Sequence, residues 1–143
     1  MTENEISRQI YECAIEVHRG LGGPGLLESV YEEALAWELA ERGLSVRRQV
    51  SLPVVYKGNV LESSLRIDLI VGDKVIVECK ATTLYNDLFE TQTLTYLRLA
   101  NLKLGLVINF GEKLVKNGIH RVVNGLKDPD QLSPPVPSSQ NLT

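Results

Sequence analysis

The chain has 143 residues, of which 43% are hydrophobic and 23% charged, and its formal net charge is −3 at pH 7. This length predicts one domain with a sizeable core, and the composition excludes a disordered chain. The weak negative charge gives no electrostatic argument for nucleic-acid binding by itself, and no apolar run approaches the ~20 residues that span a membrane.

Two helices are predicted in the N-terminal third. The first covers about residues 3–20 and is stopped by a glycine-rich stretch, and the second covers about residues 26–43, with Gly43 at its end. Glu28 lies in the first turn of the second helix, where the helix dipole favours a negative charge. The predicted inward side chains of the two helices are Ile6, Ile10, Cys13, Ala14, Val17 and Leu21, then Leu27, Val30, Tyr31, Ala34 and Leu35.

Three strands are predicted next, over residues 46–56, 60–71 and 74–80. Gly58 and Asn59 form a two-residue hairpin signal between the first two strands, and Pro53 indicates an edge or a bulge. These runs are rich in β-branched residues, as strands are.

The remaining elements are a helix over about 88–101, a buried strand over 104–110, a turn or short helix over 111–118, and a last strand over 119–123. Residues 127–143 are rich in proline and serine and predict a flexible tail behind one domain of residues 1–126. The order αα-βββ-α-β-β predicts an α/β (α+β) fold, in which helices flank a mixed central sheet and the crossover is right-handed.

The second and third strands carry three charged residues that interrupt apolar runs. If Gly72-Asp73-Lys74 is a three-residue loop, Val71 pairs with Val75, and Asp68 then lies opposite Glu78 with Cβ atoms roughly 4.5–5.5 Å apart. Alternation also places Lys80 on the side of the two carboxylates. The opposite, core-facing set would be Ile67, Leu69, Val71, Val75, Val77 and Cys79.

Two directly opposed carboxylates repel each other unless a cation lies between them. Mg²⁺ is commonly held by one or two carboxylates together with water, so Asp68 and Glu78 predict a magnesium site beside Lys80. The alternative from the residues alone is a solvated face on which charges happen to alternate.

Charge is unevenly distributed along the chain. Residues 1–45 carry a net charge of −6, whereas residues 103–127 carry +4. The basic segment could contact phosphates, and a mixed solvated surface is the alternative.

Four motifs resemble those of one family. Residues 25–31 (GLLESVY) resemble the motif of the GxxExxY family, which belongs to the PD-(D/E)XK nuclease superfamily. Asp68 followed by Glu78-Cys79-Lys80 resembles the superfamily's D…(D/E)xK core, and residues 92–96 (QTLTY) resemble its QxxxY motif. Residues 104–111 (LGLVINFG) resemble the strand that follows. The resemblance covers roughly residues 5–125 and implies a restriction-endonuclease-like core.

The resemblance implies a metal site and a reaction. Asp68 and Glu78 would bind Mg²⁺ or Mn²⁺, helped by the backbone carbonyl of Cys79, and Glu28 would supply a further carboxylate. Lys80 would orient the attacking water or stabilise the phosphate. The implied reaction is metal-assisted phosphodiester hydrolysis of DNA or RNA.

The resemblance implies site roles for several helix residues, and each has a structural alternative. Gln92 and Tyr96 would hold Lys80, metal-bound water or the substrate phosphate, and helix packing is their alternative role. Glu28 could instead only interact with the helix dipole, and Tyr31 is expected to be a structural side chain near the site.

Two other functional classes stay open. One is an inert nuclease-fold module that binds nucleic acid or a protein partner, and the other is a scaffold whose acidic cluster binds a structural cation. We expect a cytoplasmic protein with no membrane partner, because residues 1–5 lack a signal-peptide apolar region and Cys13 and Cys79 predict buried thiols. A homodimer or a partner protein is plausible by analogy.

Overall fold

The computed structural model describes residues 1–127. The predicted tail therefore lies outside the described residues except for Lys127. The elements are α1 (Glu3–Gly20), α2 (Glu28–Glu41), β1 (Val46–Tyr56), β2 (Asn59–Val71), β3 (Val75–Lys80), α3 (Leu88–Ala100), β4 (Leu104–Asn109), a short 3-10 helix (Val115–Gly118) and β5 (Ile119–Val123). The predicted order is confirmed. α2 is two residues shorter than predicted at each end, and the bounds of the other α-helices and the strands agree with the prediction to within one residue.

The five strands form one mixed sheet in the order β1-β2-β3-β4-β5. All neighbours are antiparallel except β3 and β4, which run parallel and are connected through α3. The predicted mixed sheet flanked by helices is confirmed.

Two apolar clusters cover the sheet. The larger joins α1 and α2 to one set of strand side chains, including Leu69, Val77 and Ile108. The smaller joins α3 to the alternate set, including Ile76 and Val107. Side chains alternate along a strand, so each central strand contributes alternate residues to the two clusters. This explains why the sequences of the central strands are nearly continuously apolar.

Three of the side chains that we predicted to point inward are exposed. Leu27 is 73% exposed, Val30 is 39% exposed and Leu21 is 38% exposed. Leu27 is the N-cap of α2 and Leu21 is the C-cap of α1, so neither lies within the helical stripe. The stripe that α2 buries is Tyr31, Glu32, Leu35, Ala36 and Leu39.

The predicted register of the β2–β3 hairpin is confirmed, because Val71 pairs with Val75. The predicted side of the sheet is wrong for one residue, Ile67. Ile67 packs in the α3 cluster, whereas Leu69 and Val71 pack in the α1–α2 cluster. The alternation is interrupted at Asp68, which pairs with a main-chain partner in neither neighbouring strand.

Both cysteines, Cys13 and Cys79, are free and buried, as predicted. Across residues 1–127 we find no helix with the length and apolar character needed to cross a bilayer.

Candidate active site

The candidate site lies where the β2–β3 ladder ends. The last pair is Leu69 with Val77, and the next two facing residues are Asp68 and Glu78. The backbone N–H of Asp68 donates to Glu78 Oε2 at 2.7 Å, and the N–H of Cys79 donates to Asp68 Oδ2 at 2.9 Å. Each carboxylate thus satisfies a backbone donor of the opposite strand, and this pair of bonds fixes both side chains.

Strand β1 contributes Gln49, which sequence reasoning missed. Its neighbours Arg48 and Val50 pair with β2 in one register, but Gln49 does not pair and has φ +52°. A left-handed backbone is unfavourable for a side chain of this kind. The Gln49 amide donates to Glu32 Oε1 at 2.8 Å and to Asp68 Oδ1 at 3.4 Å. The unusual backbone therefore accompanies an amide that bridges two carboxylates.

Glu32 is a second residue that sequence reasoning missed. Its side chain is buried and accepts hydrogen bonds from Gln49 and from Arg48, whose Nη2 lies 3.1 Å from Glu32 Oε2. The charge is thus paired, as buried charges usually are. A usable signal was present, because Glu32 lies four residues after Glu28 and shares its helical face. Nothing in the sequence pattern pointed to Gln49.

Lys80 is the last residue of β3 and is partly exposed. Its Nζ lies 4.6 Å from the centroid of the Phe89 ring on α3, a cation–π geometry. Its positive charge lowers the pKa of both Asp68 and Glu78. The ammonium group therefore acts on the carboxylate pair electrostatically, and no salt bridge within residues 1–127 joins it to either acid.

Burial dominates the electrostatics of the two carboxylates. Burial, followed by the negative charge of Asp68, raises the pKa of Glu78 to about 8. Burial also raises the pKa of Asp68, although the Cys79 N–H and Lys80 act against it. Without a cation the pair consequently retains a proton near neutral pH.

Of the other residues predicted for the site, Glu28 and Tyr96 interact electrostatically with the carboxylates, whereas Gln92 has no hydrogen bond to them within residues 1–127. Glu28 is exposed, but its charge helps to raise the pKa of Asp68, which places it nearby. Burial raises the pKa of Tyr96, and the charges of Glu78 and Asp68 add to this effect, so its phenol lies within electrostatic range of the two carboxylates. Gln92 is exposed, and within residues 1–127 no hydrogen bond joins its side chain to the site residues.

Tyr31 has the structural role that we expected. It is fully buried and stacks on Phe110 at 4.7 Å between ring centroids. Its hydroxyl donates to the Gly23 carbonyl at 2.6 Å and accepts from the Leu26 N–H at 3.2 Å. Tyr31 thereby holds the glycine-rich loop that precedes Glu28.

Asn109 fixes the segment that follows Lys80, and sequence reasoning missed it. Its buried side chain accepts from the N–H of Thr82 and of Gly111 and donates to the Thr82 carbonyl, each at 3.0 Å. The backbones are so close that a Cβ on Gly111 would lie 2.3 Å from the Thr82 oxygen. Residues 81–83 and 110–111 are thus held together at the end of the sheet.

The donor set determines which metal would fit. Within residues 1–127, no group of three or more His, Cys, Asp or Glu side chains is arranged to hold an ion. The pair of Asp68 and Glu78 remains, and its carboxylate oxygens are hard ligands. This set fits Mg²⁺, which is usually bound by one or two carboxylates together with water and substrate phosphate, rather than by a full protein cage.

Comparison with known proteins supplies one match. Residues 4–122 match a family model described as PD-(D/E)XK nuclease superfamily. No curated protein and no solved structure matches the chain significantly.

Proposed function

The chain belongs to the PD-(D/E)XK nuclease superfamily, and on this premise we propose that it is a metal-dependent nuclease that hydrolyses phosphodiester bonds in nucleic acid. The observation that carries the proposal is the hydrogen-bonded pair of the partly buried Asp68 and the buried Glu78, with Lys80 two residues further along β3. A protein gains little stability from burying two acids together, whereas a magnesium-dependent enzyme needs such a pair. The motif at residues 25–31 further supports assignment to the GxxExxY branch.

Asp68 and Glu78 are the proposed magnesium ligands, helped by the backbone carbonyl of Cys79. Each carboxylate uses one oxygen for a backbone N–H of the opposite strand, and so its position is set before an ion arrives. Glu28 supplies a further carboxylate at the edge of the site. When bound, the ion lowers the pKa of a water molecule and neutralises charge on the phosphate.

Lys80 is proposed to stabilise the negative charge that develops on the phosphate during hydrolysis. The Lys80 ammonium group lies 4.6 Å from the centroid of the Phe89 ring, which restricts its position. Tyr96, whose partly buried phenol lies within electrostatic range of the carboxylates, is proposed to hold a metal-bound water or the phosphate. Gln92 remains a candidate for the same role from the exposed side of α3.

The test is cleavage of labelled single- and double-stranded DNA and RNA with Mg²⁺ or Mn²⁺, beside a chelator control. We expect divalent-dependent cleavage, and we expect the melting temperature to rise with added cation because the ion binds the assembled site. The variant Glu78→Ala should lose both effects. Glu62→Ala, an exposed glutamate of β2 outside the site, is the matched control and should retain both.

A wild-type protein that binds nucleic acid but cleaves none of these substrates would replace the proposal with an inert nuclease-fold module. A melting temperature that does not respond to millimolar cation would argue against the metal site itself.

A further inference from the structure

Three surface cavities adjoin one another next to the candidate site. The first has a volume of about 430 Å³ and shares Leu26 and Ala81 with the second, of about 500 Å³. The second shares Lys113 with the third, of about 400 Å³. Because neighbouring cavities share lining residues, they follow one another along the surface from Glu28 to Lys116, and we call this row of cavities the trough.

One end of the trough touches the edge of the proposed site at Glu28, while Asp68, Glu78 and Lys80 line none of the three cavities. Glu28 lines the first cavity, and Ala81, which directly follows Lys80, lines the first two. A molecule lying in the trough would therefore contact Glu28, the outermost of the residues to which we assign phosphodiester hydrolysis.

The other end of the trough is cationic. Lys113 and Lys116 line the third cavity, and both are exposed. No salt bridge within residues 1–127 involves either lysine, whereas the nearby Arg19 pairs with Glu16 at 2.6 Å. These two lysines belong to the basic segment of the sequence and can contact phosphates.

Exposed apolar side chains lie along the same path. Leu26 is 42% exposed, Leu27 is 73% exposed and Leu114 is 55% exposed, and all three line the trough. Unpaired bases offer apolar faces that can pack on such side chains, whereas the bases of a duplex are stacked on one another. The combination of leucines and lysines therefore fits a single strand better than a duplex.

Both walls of the trough are fixed by buried polar side chains. Tyr31 holds the loop at Gly23 and Leu26, and Asn109 holds Thr82 against Gly111. A surface that is fixed in advance loses little conformational entropy when it binds.

We propose that the trough binds a single strand of nucleic acid and delivers it to the site, with backbone phosphates at Lys113 and Lys116 and bases against Leu26, Leu27 and Leu114. The proposal names the substrate class of the site and, in that respect, rests on the proposed function.

The first test measures the salt dependence of binding. Fluorescence anisotropy of a labelled oligothymidine strand is recorded in chelator, so that no cleavage occurs, with the double variant Lys113→Gln and Lys116→Gln. Removing two phosphate contacts should weaken binding and make the slope of log affinity against log salt shallower by about 1.4.

The matched control is the double variant Lys103→Gln and Lys127→Gln. It removes the same charge from the same basic segment, but Lys103 precedes β4 and Lys127 follows β5, at the opposite end of the sheet from Lys80. Its slope should stay at the wild-type value. Equal changes in the two double variants would overturn the proposal, since only overall charge would then matter.

The second test uses Leu27→Ser. Serine is a good N-cap and leucine is a poor one, and Leu27 makes no side-chain capping bond to α2, so this variant should melt at a higher temperature. It should nevertheless bind the single strand more weakly, because an apolar contact is lost. A higher melting temperature with unchanged affinity would show that Leu27 contacts no strand and would overturn its role in the proposal.

A duplex of the same length serves as the competitor. Weaker binding of the duplex supports the proposal, and tighter binding of the duplex overturns it. Because the assay contains chelator, its result is independent of cleavage. If the trough variants behave as expected but the wild type never cleaves, only the proposed function fails, and if the wild type cleaves but both double variants bind alike, only this inference fails.

Discussion

The two ends of the β2–β3 hairpin differ in which groups accept hydrogen bonds from the backbone N–H groups. At the turn end, Leu69, Ile70 and Val71 pair with β3 in a regular ladder, and their side chains are buried. At the open end the ladder stops, and the backbone N–H groups of Asp68 and Cys79 bond to carboxylate oxygens instead. Buried N–H groups need a partner, so ending the ladder creates positions at which acids become useful.

The difference teaches that the proposed site depends on the apolar part of the same hairpin. Burial raises the pKa of Asp68 and of Glu78, so the acids oppose folding when both are ionised and no cation is present. The turn end, which is apolar on both faces, supplies the stability that holds them in place.

The largest expected effect concerns Lys80, at the open end. Lys80→Ala leaves both carboxylates intact, so metal should still bind while the cleavage rate falls by ~10²–10³-fold for one lost electrostatic group. Lys80→Arg should not restore full activity, because a planar guanidinium does not replace a compact ammonium. The measurement is single-turnover cleavage beside a calorimetric metal titration, and equal rates for wild type and Lys80→Ala would contradict the role assigned to this lysine.

At the turn end, Ile76→Ala should act on stability instead. Ile76 is fully buried in the α3 cluster, so the substitution should lower the free energy of unfolding by ~2–5 kcal/mol. Below the melting temperature, metal affinity should stay at the wild-type value. Urea denaturation and metal titration check both parts, and a weakened metal site would show that the two ends of the hairpin are coupled.

The pH dependence of the free energy of unfolding should reveal the titration of Glu78, at the open end of the hairpin. The folded-state pKa of Glu78 is about 8, above its ordinary value of 4.5, so the folded protein holds a proton that the unfolded chain releases. In chelator, the contribution of Glu78 to the free energy of unfolding is fully present below about pH 4.5 and is lost as the pH rises towards about 8. Between about pH 5 and about pH 7, the free energy of unfolding should fall by about 2 kcal/mol.

Urea denaturation of wild type and of Glu78→Gln over this pH range isolates the contribution of Glu78. The variant cannot ionise at this position and should lose that part of the slope. Saturating Mg²⁺ should flatten or reverse the slope of the wild type, because a bound cation favours the ionised pair. Identical slopes in the two proteins would mean that Glu78 titrates normally.

The smallest expected effect concerns Gln49. Gln49→Gly relieves the left-handed backbone but removes hydrogen bonds to two carboxylates, so the free energy of unfolding should fall by about 1 kcal/mol. Asn101, the C-cap of α3, has a similar φ of +56°, and Asn101→Gly should be nearly neutral because asparagine tolerates this conformation. Equal effects in thermal melts would mean that the Gln49 amide contributes nothing to the site.

Much of the fold was predictable from local patterns. Period-two and period-3.6 spacing, together with glycine signals, located every element of the described chain, because these patterns follow from strand and helix geometry. The hairpin register was predictable for the same reason, since only a three-residue loop puts both apolar sets on a common face. The prediction failed for Ile67, where the alternation is interrupted beside Asp68.

The candidate site was predictable only in part. Asp68 and Glu78 lie one position beyond the last ladder pair of a single hairpin, and Lys80 follows Glu78 by two residues, so the predicted register was enough to bring the two acids together. Glu32 shares the helical face of Glu28, yet its burial depends on a salt bridge with Arg48 from another element.

The sequence by itself determined the order of the elements, the hairpin register and the charged trio, because each depends on spacing within one or two neighbouring elements. Only the tertiary structure decided the contacts of Gln49, the backbone clamp formed by Asn109, and the exposure of Leu27 on the trough. These features join β1 to α2, β4 to the segment after β3, and a helix end to a distant turn. No local pattern encodes such contacts, since they arise when separate elements pack together.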